Sequence, residues 1–121
     1  MRNQPQYNFF KNTGYALEGL KDLLKTETSF KLELIIVCLL LPLLFFIETS
    51  LTNKLLMFIT LMGMPLAEAI NSAIERVVDL VTLEHHAMAK RAKDVGSTIV
   101  FISIGIFVIT WGVIIFNIYC F

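Results

Sequence analysis

The chain has 121 residues, 56% of them hydrophobic, and a formal net charge of zero; the length suits one domain and the composition lies well above the usual soluble range. A soluble core of this size could not hide that much apolar surface, and a neutral charge balance offers no attraction to nucleic acid. The few charges cluster, and the clusters carry the information.

The N-terminus, MRNQPQYNFFKNTG, has no apolar run after its basic residue, so it does not read as a cleavable signal peptide and the mature protein is expected to begin here. Over residues 7–28, Phe10, Thr13, Leu17, Leu20 and Leu24 recur at three- and four-residue steps, while Lys11, Glu18, Lys21, Asp22 and Lys25 take the other faces. That pattern predicts an amphipathic helix, suited to the cytoplasmic membrane surface or equally to packing on a helical bundle. Gly14 and Gly19 weaken it slightly and admit a lipid or a neighbouring helix.

Leu34 to Ile47 is uncharged but short, so a first span over 30–48 must recruit Phe30 to Leu32 and let Lys31 and Glu33 reach the interface. Leu55 to Ala67 is shorter still, and a second span over 54–75 requires the helix to continue through Glu68, Asn71 and Ser72 toward Glu75. A soluble hairpin is the alternative, but LLMFITLMGMPLA has no polar face to offer water. Val95 to Phe121 carries no charge and exceeds the ~20 residues that cross a bilayer, giving a third span over 95–119. Pro42 and Pro65 are expected to kink their helices, with freed carbonyls re-satisfied by neighbours. Cys38 and Cys120 sit in apolar segments and read as small hydrophobes.

No repeat or long linker divides the chain, so residues 1–121 read as one all-α membrane domain of three spans and a surface helix. Lys11, Lys21, Lys25 and Lys31 precede the first span, Arg76, Lys90, Arg91 and Lys93 lie between the second and third, and only Lys54 lies in the opposite loop. This asymmetry predicts a cytoplasmic N-terminus and second loop, and an external C-terminus.

At about 100° per residue, Glu68, Asn71, Ser72, Glu75 and Asp79 share one face of the second span's helix. Ionisable groups at membrane depth are expensive and mark functional sites by default, although Asn71 and Ser72 could simply join helices and Glu75 could pair with a basic neighbour. Mg²⁺ needs only one or two carboxylates plus phosphates and water. Glu75, nearer the cytoplasm, and Glu27, closing the surface helix, suit it; Glu68, two turns deeper and less solvated, suits a base beside lipid. Lys90, Arg91 and Lys93 beside Asp94 could neutralise phosphates, though the inside-positive bias explains most of them. Adjacent His85 and His86 point apart on a helix and do not make a zinc pair. No common nucleotide-binding loop or kinase motif occurs, so any ATP is handled on an uncommon fold.

The run EAINSAIERVVDLVTLEHHAMAKRAKDVGS, Glu68 to Ser97, resembles the signature of the small prokaryotic diacylglycerol kinase family, E-x-x-N-[ST]-x-I-E-x-x-V-D followed by A-K-D. GYALEGL at Gly14 to Leu20, TETSF at Thr26 to Phe30 and ITW at Ile109 to Trp111 are similar to it too, and suggest its Gram-negative type. The resemblance implies a homotrimeric bacterial inner-membrane enzyme that moves the γ-phosphate of Mg-ATP onto the hydroxyl of diacylglycerol, giving phosphatidic acid. Glu68 matches the catalytic base, with Asn71 beside it; Glu27 and Glu75 match the residues holding Mg²⁺ and, through it, ATP. Tyr15, Glu84, His85, His86, Lys93 and Asp94 fall in the nucleotide-contacting region. Lipid contacts are implied at Asn12, Thr13, Gly14, Lys21, Phe30, Lys31, Glu33, Glu68, Ser97 and Trp111.

Asn8 stands where Gram-negative relatives carry an arginine, and Ala16 and Leu17 replace a serine and a tryptophan; these departures touch the N-terminal contacts and leave the carboxylates unchanged. Three spans are too few to enclose a site, so sites between subunits are expected. The nearest rival is an undecaprenol kinase on the same scaffold, with GY, KDVGS and Trp111 leaning toward diacylglycerol. From other classes, a small proton-coupled transporter could use an embedded glutamate, and a non-catalytic membrane subunit would turn over no ATP.

Overall fold

A computed structural model describes residues 6 and 8–120. They form four helices, α1 (Phe9–Thr26), α2 (Thr28–Phe46), α3 (Leu51–Val81) and α4 (Ala87–Cys120), with no strand among the described residues. The expected start of the surface helix at Tyr7 lies outside them. α1 begins because Asn8, extended at φ −151° and ψ 117°, accepts hydrogen bonds from Phe10 N and Lys11 N through its side chain, satisfying two of the otherwise orphaned donors. It ends at Glu27, whose extended backbone separates it from α2 by a single residue. No residue of α1 is buried.

α2, α3 and α4 are each long and apolar enough to cross a membrane. The 19 residues of α2 measure roughly 28 Å, close to the ~30 Å hydrocarbon thickness. With 31 and 34 residues, α3 and α4 reach roughly 46 and 51 Å and must project beyond it. Both proline-bearing helices continue past Pro42 and Pro65 without a break. Ser50 caps α3 by accepting from Asn53 N at 3.2 Å, and His86 Nδ1 accepts from Met88 N at 3.1 Å where α4 starts.

The core lies toward the Lys54 end of the bundle. Met57 and Leu61, both 0% exposed, pack with Met64 of α3, Val37, Leu44 and Ile47 at α2 and its end, and Trp111 and Ile114 of α4. The buried Trp111 indole donates to Met57 O at 3.0 Å. Leu39, Phe45, Phe101 and Ile109 face outward, which suits helices surrounded by acyl chains.

Candidate active site

Glu68, Asn71 and Ser72 are buried on α3 while Glu75 is half-buried, so the polar face turns toward the other helices rather than outward. Asn71 Nδ2 donates to Glu75 Oε1 at 3.3 Å. α4 approaches closely here because residue 96 is glycine: a Cβ at Gly96 would collide with Asn71 Oδ1 and come within 3.7 Å of Ile74. Glu27, Glu33 and Glu75 all interact electrostatically with Glu68, so four carboxylates from α2, α3 and the α1–α2 junction share one locality. Among the described residues, buried Glu33 Oε2 and Asn71 Oδ1 have no hydrogen-bond partner.

Glu33 differs from expectation. The length of the first span suggested that it would reach the interface, but α2 buries Phe30, Val37 and Leu44, and Glu33 lies one turn from Phe30 on that inward side. Helical position outweighs the tendency of a charge to seek water. Lys31 is exposed as expected.

Two spaces lie along α3, and none of the four carboxylates lines either of them. One, about 480 Å³ and almost wholly apolar, lies between α1, α2 and α3 and is lined by Ala16, Leu20, Leu23, Phe30, Pro65 and Ala69 among others. The other, about 270 Å³, lies at the α3–α4 loop and is lined by Asp79, Glu84, His85, His86, Lys90 and Lys93 among others. Lys93 Nζ donates to Asp79 Oδ1 at 2.8 Å, giving Asp79 a partner that the sequence left unassigned. That hydrogen bond and the attraction of Asp79 hold the Lys93 ammonium above the ordinary lysine range, two residues ahead of the uncharged run.

The remaining candidates are dispersed. Asp94 pairs with Lys90 at 2.7 Å on the exposed side of α4. Tyr15, Asn12, Thr13 and Lys21 are exposed on α1, Gly14 is half-buried there, and Ser97 is exposed next to Gly96. Trp111 belongs to the apolar core rather than to the carboxylates. Sequence reasoning treated Arg76 only as an orienting charge. In the structure it donates to Asp22 Oδ2, to Thr26 Oγ1 at 2.9 Å and to Glu27 Oε1 at 3.4 Å. These partners lie 49 to 54 positions away, beyond the reach of any local pattern.

The sequence profile described as prokaryotic diacylglycerol kinase matches residues 14–115. The chain belongs to the prokaryotic diacylglycerol kinase family. A family relative from Haemophilus influenzae, a diacylglycerol kinase, is 40% identical over 109 residues, covering 90% of this chain and 92% of its own. The Escherichia coli K12 diacylglycerol kinase is 34% identical over 107 residues, 88% of each chain. The Bacillus subtilis undecaprenol kinase is 37% identical over 86 residues, covering 71% of this chain and 70% of its own. The family match spans every carboxylate of the cluster, as well as Arg76, Asp79 and Lys93. Family membership identifies ATP as the phosphate donor. Among the described residues no three His, Cys, Asp or Glu side chains converge as a metal cage, so a cation here would draw on fewer protein ligands.

Proposed function

We propose that this chain transfers the γ-phosphate of Mg-ATP to the hydroxyl of diacylglycerol, giving phosphatidic acid, in the bacterial inner membrane with its N-terminus in the cytoplasm. The observation that carries this is position: along α3, buried Glu68 and Asn71 come after Pro65, which lines an apolar groove suited to acyl chains, and before Asp79, which lines a charged cavity suited to a nucleotide. Glu27 and Glu75 would hold Mg²⁺, and two carboxylates fit an ion that completes its shell with water and phosphate. When bound, that ion supplies charge neutralisation at the β- and γ-phosphates.

The rest is the work of side chains. Lys93, poised by Asp79, faces the cavity and offsets phosphate charge. Asn71 braces Glu75. Glu68 accepts the proton of the lipid hydroxyl as its oxygen bonds to the γ-phosphorus and the bond from that phosphorus to the bridging oxygen breaks, releasing ADP. Phosphoryl transfer needs positioning and electrostatic stabilisation more than covalent chemistry, and this cluster is arranged for both. Tyr15, Glu84, His85, His86 and Asp94 are assigned to the nucleotide side. Phe30, Lys31, Glu33, Ser97 and the α1 residues Asn12, Thr13, Gly14 and Lys21 are assigned to the lipid side. A homotrimer would bring a neighbouring subunit against the outward-facing apolar side chains of the spans, such as Leu39, Phe101 and Ile109.

The undecaprenol kinase among the relatives makes that lipid the second reading. Purified protein in detergent, given γ-labelled ATP with dioleoylglycerol or undecaprenol, should place label in phosphatidic acid. Label in undecaprenyl phosphate alone would overturn the choice of substrate.

A further inference from the structure

α1 is poorly fixed by packing: none of its residues is buried, and the apolar groove separates its middle turns from α3. Arg76 compensates at one end. Its planar guanidinium carries five donors in a rigid fork, so it can hold several acceptors together. Here it takes Asp22 and Thr26 in the last turns of α1, and Glu27 at the junction with α2. The Glu27 side chain makes no capping bond to α2, which leaves its carboxylate free to be aimed from α3.

We propose that Arg76 is a positioning residue for the metal and nucleotide side of the reaction. It ties the end of α1 to α3 and holds the Glu27 carboxylate beside Glu75, its own neighbour in sequence, and near Glu68. This rests on the assignment of Glu27 and Glu75 to Mg²⁺. The bond to Glu27 is the longest of the three. Glu27 can therefore turn to a cation while Asp22 and Thr26 keep Arg76, and with it α1, in place. Before a cation arrives, the guanidinium also offsets one negative charge in a cluster of four. Its side chain is 44% exposed and that of Asp22 50%, so the ion pair itself adds little to stability. Its effect should appear in metal and nucleotide binding.

Full-length protein in detergent, with Mn²⁺ as a spin-active stand-in for Mg²⁺ and a non-hydrolysable ATP analogue, tests this. Four forms are compared with the wild type: Arg76→Gln, Arg76→Lys, the charge swap Asp22→Arg with Arg76→Asp, and Glu27→Gln. Arg76→Gln should weaken Mn²⁺ binding and raise the Mg-ATP KM by roughly tenfold each, with the lipid KM within about twofold. Its thermal midpoint should stay near the wild type, and Arg76→Lys should recover part of the loss. The swap remakes the ion pair between α1 and α3 but moves the guanidinium away from Glu27, so Mn²⁺ binding should remain weak. Full recovery in the swap would reduce Arg76 to a tie between helices and overturn the proposal. So would unchanged binding in Arg76→Gln while Glu27→Gln weakens it. If Glu27→Gln leaves Mn²⁺ binding intact, the metal assignment of Glu27 fails first, and the role of Arg76 falls with it.

Discussion

Between Leu51 and Met64, α3 turns Met57, Leu61 and Met64 into an apolar core, and the Trp111 indole packed there donates to Met57 O. Between Ala67 and Asp79 the same helix turns Glu68, Asn71 and Ser72 inward, with Glu75 half-buried behind them, and among the described residues buried Asn71 Oδ1 and, from α2, Glu33 Oε2 lack partners. A buried polar atom left unpaired costs about 1–3 kcal/mol. The first half therefore supplies stability that the second half draws down. One helix holds both because its 31 residues exceed what the hydrocarbon layer needs.

The sharpest way to separate the halves is Glu68→Gln. It keeps the shape and the burial but cannot accept the proton, so turnover should fall about 10²- to 10⁴-fold with the Mg-ATP KM within about threefold. Labelled phosphate transfer measures both. An equal loss in turnover and ATP affinity would make Glu68 a binding group. Leu61→Ala is the counterpart in the other half: deleting a side chain with 0% exposure should cost about 2–5 kcal/mol of stability. Thermal unfolding in detergent reads that loss, and the folded enzyme should keep both KM values. A shifted Mg-ATP KM would mean that the halves are mechanically coupled.

Gly96→Ala tests the seam between α4 and the polar half. The added methyl meets Asn71 Oδ1, and either Asn71 leaves Glu75 or α4 moves out. Overpacking of this kind costs about 1–3 kcal/mol. Turnover should drop roughly tenfold with the loss of a charge-assisted bond. Gly105→Ala is the control, since no atom lies within 4 Å of a Cβ there; it should leave turnover and unfolding unchanged.

Much of this was legible in the chain. The uncharged run after Asp94 lies within α4, which begins earlier at Ala87, and the spacing of Glu68, Asn71, Ser72 and Glu75 puts them on one face because a helix advances about 100° per residue. Glu33 stood among the implied lipid contacts, but its inward lean was not read because span length was weighed and face was not, although Phe30, Val37 and Leu44 mark the inward side of α2 at seven-residue steps. The Arg76 contacts were illegible for a different reason: they join α3 to the α1 end across 49 to 54 residues, and only the folded path of the chain brings them together. Asn8 looked like a lost cation and proves to be a helix cap.

The smallest expected effect belongs to Ser72→Ala. Ser72 is 1% exposed and shares the stripe with Glu68 and Asn71, so position alone would enrol it in the chemistry. Its hydroxyl, however, makes none of the hydrogen bonds that connect Asn71 with Glu75 or Arg76 with Glu27. Removing this one oxygen should change stability by less than about 1 kcal/mol. Both KM values and turnover should stay at wild-type levels in the same transfer assay. If Ser72→Ala were instead as damaging as Glu68→Gln, the polar half of α3 would act as a single hydrogen-bonded unit, and the separate roles given to Glu68 and Glu75 would have to be abandoned.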